Sequence, residues 1–180
     1  QLYAITDLGS LVMADVAPSS YPTRTLRYAI DDNGKVISYL ASDQTDYGVG
    51  LGWDPTRRRF YRGFLSRTTE GEFTFETLLS TGAVSGASGR AVNVMAPVRF
   101  NPEAGLVLSG NGRILNADLT PAGVLANDVI DAAWLPSGLF TLRSQGGQSE
   151  VQRWSRSSYL QAGAVAVSGI PVRIFRLSDT

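Results

Sequence analysis

The sequence predicts an all-β chain built from about four to five copies of one short antiparallel unit. Three observations carry this. Hydrophobic segments end in proline four times, at Pro18, Pro55, Pro102 and Pro136. A run rich in aromatic and branched residues follows each proline and closes on a glycine turn. The turn glycines Gly34, Gly71, Gly112 and Gly147 are 37, 41 and 35 residues apart, the spacing of a structural repeat.

Taken in order, Leu2-Tyr3-Ala4-Ile5 reads as a strand without a predecessor. The first unit then runs Leu11 to Pro18, Thr25 to Ile30, the turn Asp32-Asn33-Gly34, and Lys35 to Leu40. The second runs Val49 to Pro55, Arg59 to Leu65, a turn at Thr69-Glu70-Gly71, and Glu72 to Leu78. Ala96 to Pro102, Gly105 to Leu108, Gly110-Asn111-Gly112 and Arg113 to Leu119 form the third. Val129 to Pro136, Gly138 to Leu142, Gln145-Gly146-Gly147 and Glu150 to Trp154 form the fourth. Asn-Gly and Gly-Gly supply the positive φ angles that tight hairpin turns need. In the middle two units Gly82 and Gly123 read as a further turn into an outer strand. Ala164 to Val167 closes the last unit, and Val172 to Leu177 reads as the first strand of a fifth. One segment fits a second pattern. Thr120-Pro121 suits an N-cap and first helical position, with Val124, Leu125, Val129 and Ile130 on a helical stripe. Gly123 and the proline rhythm favour strand-turn-strand.

A repeat of roughly 35–45 residues with three or four short strands is what a propeller blade needs, since one small twisted sheet cannot bury both its faces alone. Val49-Gly50-Leu51-Gly52 and Ile130-Asp131-Ala132-Ala133 have the small and branched residues expected of innermost strands crowding an axis. The passage Ala132-Ala133-Trp134-Leu135-Pro136-Ser137-Gly138-Leu139-Phe140 resembles the β-propeller repeat superfamily, and the likeness recurs loosely in all four units. It implies a ring-like array over residues 1–180, taken as a single domain that is either a small ring or part of a larger propeller. A β-sandwich is the alternative. No subfamily is implied. The Gly-His mark of tryptophan-aspartate repeats needs a histidine the chain lacks, and Asp46-Tyr47-Gly48 places Leu51 where an Asp box requires tryptophan.

Composition narrows the chemistry. The chain has no cysteine and no histidine, which excludes Ser-His-Asp triads, thiolate catalysis, disulfides and iron–sulfur clusters. Sixteen basic residues balance sixteen acidic ones, so no net field draws the chain to nucleic acid or an anionic membrane. No run reaches the roughly 18 apolar residues of a membrane helix. Fifteen of the basic residues are arginine, which with the many alanines and glycines suggests a GC-rich bacterial source. The compartment is open, with the periplasm or the outside of the cell slightly favoured. Arg57-Arg58-Arg59 reads as a solvated strand edge.

Candidate functional residues fall where inner strands begin and on the hairpins at the same end, the face where propeller function is usually sited. These are Asp46, Tyr47, Arg90, Asn93, Asn127 and Asp128 for binding, with Asp131 beside them and Asp31 to Asn33 expected on the same face. No cofactor or metal is expected, because Asp31-Asp32-Asn33-Gly34 lacks the alternating ligands of a calcium loop. The reading is a non-enzymatic binding or scaffold module for a protein or glycan, self-association or a missing part of a larger propeller being open. The alternative is a glycoside hydrolase using Asp46 with Asp128 or Asp131. Trp53 and Trp134 are expected to pack between blades.

Overall fold

The computed structural model describes the backbone of residues 2–7, 11–16, 25–31, 33–42, 47–65, 71–79, 85–86, 88–95 and 97–175, and side-chain surroundings at 33–36, 52–63 and, within those spans, from 71 onward. The strands form four sheets of four. Blade 1 contains β1 (Leu2–Asp7), β2 (Leu11–Val16), β3 (Thr25–Asp31) and β4 (Val36–Ser42). Blade 2 contains β5 (Tyr47–Asp54), β6 (Arg59–Leu65), β7 (Gly71–Thr77) and β8 (Ser88–Val92). Blade 3 contains β9 (Val98–Asn101), β10 (Leu106–Ser109), β11 (Arg113–Asn116) and β12 (Pro121–Val124). Blade 4 contains β13 (Asp131–Leu135), β14 (Gly138–Gln145), β15 (Gln148–Trp154) and β16 (Gln161–Val167).

Every sheet is an antiparallel meander in chain order. The first strands β1, β5, β9 and β13 pack side by side in that order. Among the described residues no comparable packing joins β13 back to β1, so the blades form an open arc. Four sheets around an axis replace the two face-packed sheets of a sandwich, and the described residues contain no helix.

The prolines mark the turn from first to second strand in blades 2 to 4. Asp54 Oδ1 accepts from the backbone N–H of Thr56 and Arg57 (2.9 and 3.1 Å), and Asn101 Oδ1 accepts from Glu103 and Ala104 (3.0 and 3.3 Å). An Asp or Asn side chain before Pro thus closes the turn that proline's fixed φ begins.

Two apolar clusters fill the spaces between neighbouring sheets. Between blades 2 and 3, Tyr61 stacks on Phe100 (centroids 5.2 Å apart) beside Phe73, Val98, Val107 and Leu115. Its hydroxyl donates to Ala117 O (2.9 Å). Gly63 is required here, because a Cβ would stand 2.6 Å from the Phe73 ring and 3.0 Å from Val98. Between blades 3 and 4, Trp154 and Leu139 pack on Leu108, Ile114 and Leu125. Each such buried side chain contributes about 1.5–3 kcal/mol relative to exposure.

Four expectations are corrected. The first unit is displaced by one strand: Leu2–Asp7 is the inner strand of a complete blade, and Leu11–Val16 is its second strand. Asn33-Gly34 therefore joins a third strand to a fourth, which puts it at the opposite end of its sheet from the other hairpins and from the candidate face. Gly123 lies within outer strand β12 rather than in a turn, because the Tyr159 ring packs where its Cβ would be, 2.7 Å away. Residues 168–175 form no strand, since no neighbouring strand pairs with them, and 176–180 and Gly82 lie outside the described residues. The helical pattern after Thr120 also gives way, to β12, a six-residue connection and β13.

Candidate functional site

Connections from one blade to the next and hairpins from second to third strand meet at one end of the array. Between blades 3 and 4 this end opens into a cleft of about 810 Å3, lined by Met95, Pro97, Asn127, Asp128, Ile130 and Arg143 among others. Backbone hydrogen bonds lace its walls together. Gly110 N–H donates to Met95 O (2.6 Å), Val129 N–H to Gly110 O (2.6 Å) and Leu125 N–H to Gly112 O (2.8 Å). Asn111 Nδ2 donates to Asn93 O (2.7 Å), and Arg113 Nη1 to Val92 O (2.5 Å). These are turn residues fixed by glycine: Gly112 has φ +78°, and a Cβ there would stand 2.7 Å from Asn127 O.

A polar chain crosses blade 4 from this cleft into the core. Arg143 Nη1 donates to Asn127 Oδ1 and its Nε to Glu150 Oε1 (both 2.8 Å), while Nη2 meets Gln145 Oε1. Glu150 Oε1 also accepts from Gln152 Nε2 (2.7 Å). Gln152 Oε1 lies 3.4 Å from Thr141 Oγ1, which accepts from Trp154 Nε1 (2.8 Å). Gln152, Thr141 and Trp154 are all buried, so these bonds satisfy groups that would otherwise be costly to desolvate.

Asp131, at the start of β13, is 1% exposed. Arg99 Nε donates to its Oδ1 (2.5 Å), and Arg99 Nη2 is also 2.5 Å from that oxygen. Its Oδ2 accepts from Ile174 N–H (2.9 Å) and faces Arg173 Nε at 3.5 Å. Arg99 thus holds one carboxylate oxygen and the Ile174 N–H the other, with Arg173 as a longer ion pair. Asp131 therefore ties inner strand β9 and the C-terminal segment to β13.

The other candidates are placed as follows. Asn127 and Asp128 share the cleft, Asn127 half-buried under Arg143 and Asp128 exposed. Asn93 stands at the neighbouring blade 2–3 connection with φ +58°, and its carbonyl caps Asn111. Arg90 lies in outer strand β8 and pairs with Glu72 (2.9 Å) on the surface, so it is not brought to the cleft. Tyr47 begins β5 with its side chain outside the described residues, and Asp46 and Asp32 lie outside them altogether. Among the described residues no group of three acidic side chains could hold a metal ion. Arg143 and Met95 are not among the sequence candidates, and Ile130 is expected only as an inner-strand residue. Met95 and Ile130 are 51% and 38% exposed, and the structure places both in connections between strands.

The tryptophans do not line the cleft. Trp53 lies on Phe60 (centroids 4.6 Å apart), and Trp134 packs against the blade 3–4 cluster. At the opposite end a hollow of about 330 Å3 is lined by Arg57, Arg59, Asn116 and Asp118 among others. The arginine run there is solvent-exposed at Arg57 and Arg58 and half-buried at Arg59, and each residue has a partner. Arg57 pairs with Asp54 (3.0 Å), Arg58 donates to Leu79 O (3.2 Å), and Arg59 donates to Ala117 O and covers the Phe75 ring. The Thr120 hydroxyl and backbone N–H hold the Asp118 carboxyl below its usual range.

No protein-family model matches the sequence, and no curated protein matches it. Solved structures do match the fold. The crystal structure of the RRP9 WD40 repeats superposes with a TM-score of 0.61 at 10% identity, over 93% of this chain and 51% of that one. The outer coat vertex of COPII on membranes matches with a TM-score of 0.57 at 16% identity, over 82% of this chain and 45% of that one. The chain is a four-bladed β-propeller array. The COPII coat assembled on membranes gives the same TM-score and identity over 82% of the propeller array and 25% of the matched chain. The array spans about half the length of the first two of these structures.

Proposed function

We propose that this propeller array is a non-enzymatic interaction module that presents the cleft between blades 3 and 4 to a protein partner. The cleft itself carries the reading: exposed Met95 and Ile130 beside polar Asn127 and Asp128, on walls held in place by hydrogen bonds. A preorganised cleft that sets apolar side chains beside polar ones loses little freedom on binding. A glycan partner gains less support, since Trp53 and Trp134 are occupied in packing and no aromatic ring among the described residues lines the cleft. The likeness to coat structures is in keeping with a scaffold, at the level of fold.

The test is site-specific photocrosslinking. A crosslinking residue at Met95 or Ile130 should capture a discrete protein from an extract of the source cells, and Asn127→Ala with Asp128→Ala should abolish the capture. The same residue at Ala104, at the opposite end, should not capture it. Equal capture from both ends, or capture indifferent to the Asn127/Asp128 change, refutes the reading.

A further inference from the structure

The chain contains two Asn-Gly pairs, Asn33-Gly34 and Asn111-Gly112, and the fold surrounds them differently. Asparagine is a thermolabile residue, most of all before glycine. The glycine nitrogen attacks the side-chain amide carbon, ammonia leaves, and a succinimide ring remains. Water then opens the ring at either carbonyl to give aspartate or isoaspartate. The step needs the asparagine side chain to swing onto the next nitrogen, an approach that glycine leaves open because it has no Cβ. Asn111 is held away from it. Its Oδ1 accepts from Ser109 Oγ (2.6 Å) and its Nδ2 donates to Asn93 O (2.7 Å). The attacking nitrogen is engaged as well: Gly112 N–H donates to Ser109 O (2.9 Å), and Gly112 is buried. Around Asn33 the surroundings are open. Asn33 to Val36 are all exposed, and no described atom stands within 4 Å of where a Gly34 Cβ would be. Both glycines have φ +78°, so packing separates the two pairs and turn shape does not. The other asparagines precede Val94, Pro102, Ala117 and Asp128, where a side chain or ring crowds the attack.

We propose that Asn33 is a site of spontaneous deamidation in the folded protein, and that the fold protects Asn111 from the same reaction. The net change is side-chain amide plus water to carboxylate plus ammonium, with no redox step and no enzyme. Either product adds a negative charge next to Asp31 and Asp32 in the chain. Isoaspartate also routes the main chain through the side-chain carbonyl, lengthening the turn between β3 and β4 by a methylene. The modification thus changes the charge and the hairpin of blade 1 irreversibly with time. The cleft between blades 3 and 4 keeps the Asn111–Asn93 bond that braces its wall.

Peptide mapping by mass spectrometry, on purified chain aged in mildly alkaline buffer, tests this. Aspartate and isoaspartate should accumulate at Asn33 at least about tenfold faster than at Asn111, which reacts only after its hydrogen bonds open. In guanidinium chloride, where no fold protects either pair, the two should convert at comparable rates. Asn33→Gln should remove the first acidic species seen on ion exchange and, because the residue is exposed, leave thermal unfolding unchanged. Equal conversion of both pairs in the folded chain overturns the proposal. So does an Asn33 that stays intact when folded, or the same rate difference persisting in guanidinium.

Discussion

Replacing Asp131 by asparagine should weaken the whole array, because one buried carboxylate ties three segments of chain. Breaking a buried ion pair by removing one partner typically costs about 3–5 kcal/mol, much of it from the stranded charge. Arg99 is the charge stranded here, and its side chain is 25% exposed, so solvent relieves part of that cost. Asparagine keeps one acceptor oxygen but presents an amide NH2 to a guanidinium. The expected loss is therefore about 3 kcal/mol, the low end of the range. For a chain of this size that lowers the unfolding midpoint by roughly 6–12 °C. Urea titration of the single variants and of Asp131→Asn with Arg99→Met completes a double-mutant cycle, whose coupling should reach about 2 kcal/mol. Amide exchange at Ile174 should accelerate in Asp131→Asn as its acceptor weakens. A loss below about 0.5 kcal/mol, or a coupling within about 0.3 kcal/mol of zero, would refute the assignment of Asp131 to structure.

Other expectations follow from single contacts. Trp154→Phe removes the Nε1–H bond to Thr141 and leaves a small void in a site 1% exposed, at a cost of about 2–4 kcal/mol measurable by urea titration. Burial, then the nearby Asp54 carboxylate, pushes the Tyr61 phenol up to about 12 from 10.0. Because the folded value is the higher one, its contribution is complete below pH 10 and is lost as pH rises toward 12; Tyr61→Phe should remove that slope from the stability profile. Gly112→Ala forces a side chain into φ +78° against Asn127 O, and should cost about 2 kcal/mol and loosen the cleft, seen as faster amide exchange at Leu125 and Val129.

Much of the architecture was legible because turns carry local chemistry. Asp54-Pro55 and Asn101-Pro102 close their own turns with their own side chains, and Gly112 and Gly147 adopt positive φ for reasons contained in a few residues. The phase of the first blade was hidden because a blade has hairpins at both ends. Gly34 lies in a third-to-fourth strand hairpin that is locally indistinguishable from a second-to-third one, and its 37-residue spacing to Gly71 fell within the repeat. Gly123 was misread for a different reason, since the ring that requires it belongs to Tyr159 in the next blade. The site was less legible than the fold. Asp131 looked available in sequence because its main partner, Arg99, lies 32 residues away. Arg143 drew no notice because its role depends on Asn127, in the connection from blade 3, and Glu150, on the next strand, both reaching it.

The meander order of the blades also bears on how the chain folds. Every ladder joins strands consecutive in sequence, so each sheet closes only short loops, and long-range organisation is left to the packing of one blade on the next. Such an array behaves like a one-dimensional stack, whose cooperativity comes from nearest-neighbour interfaces. Blade 3, gripped on both sides by the two apolar clusters, should exchange more slowly than blade 4, which shares only one of them. Opening should begin at β16, exposed along its whole length, and travel inward one blade at a time.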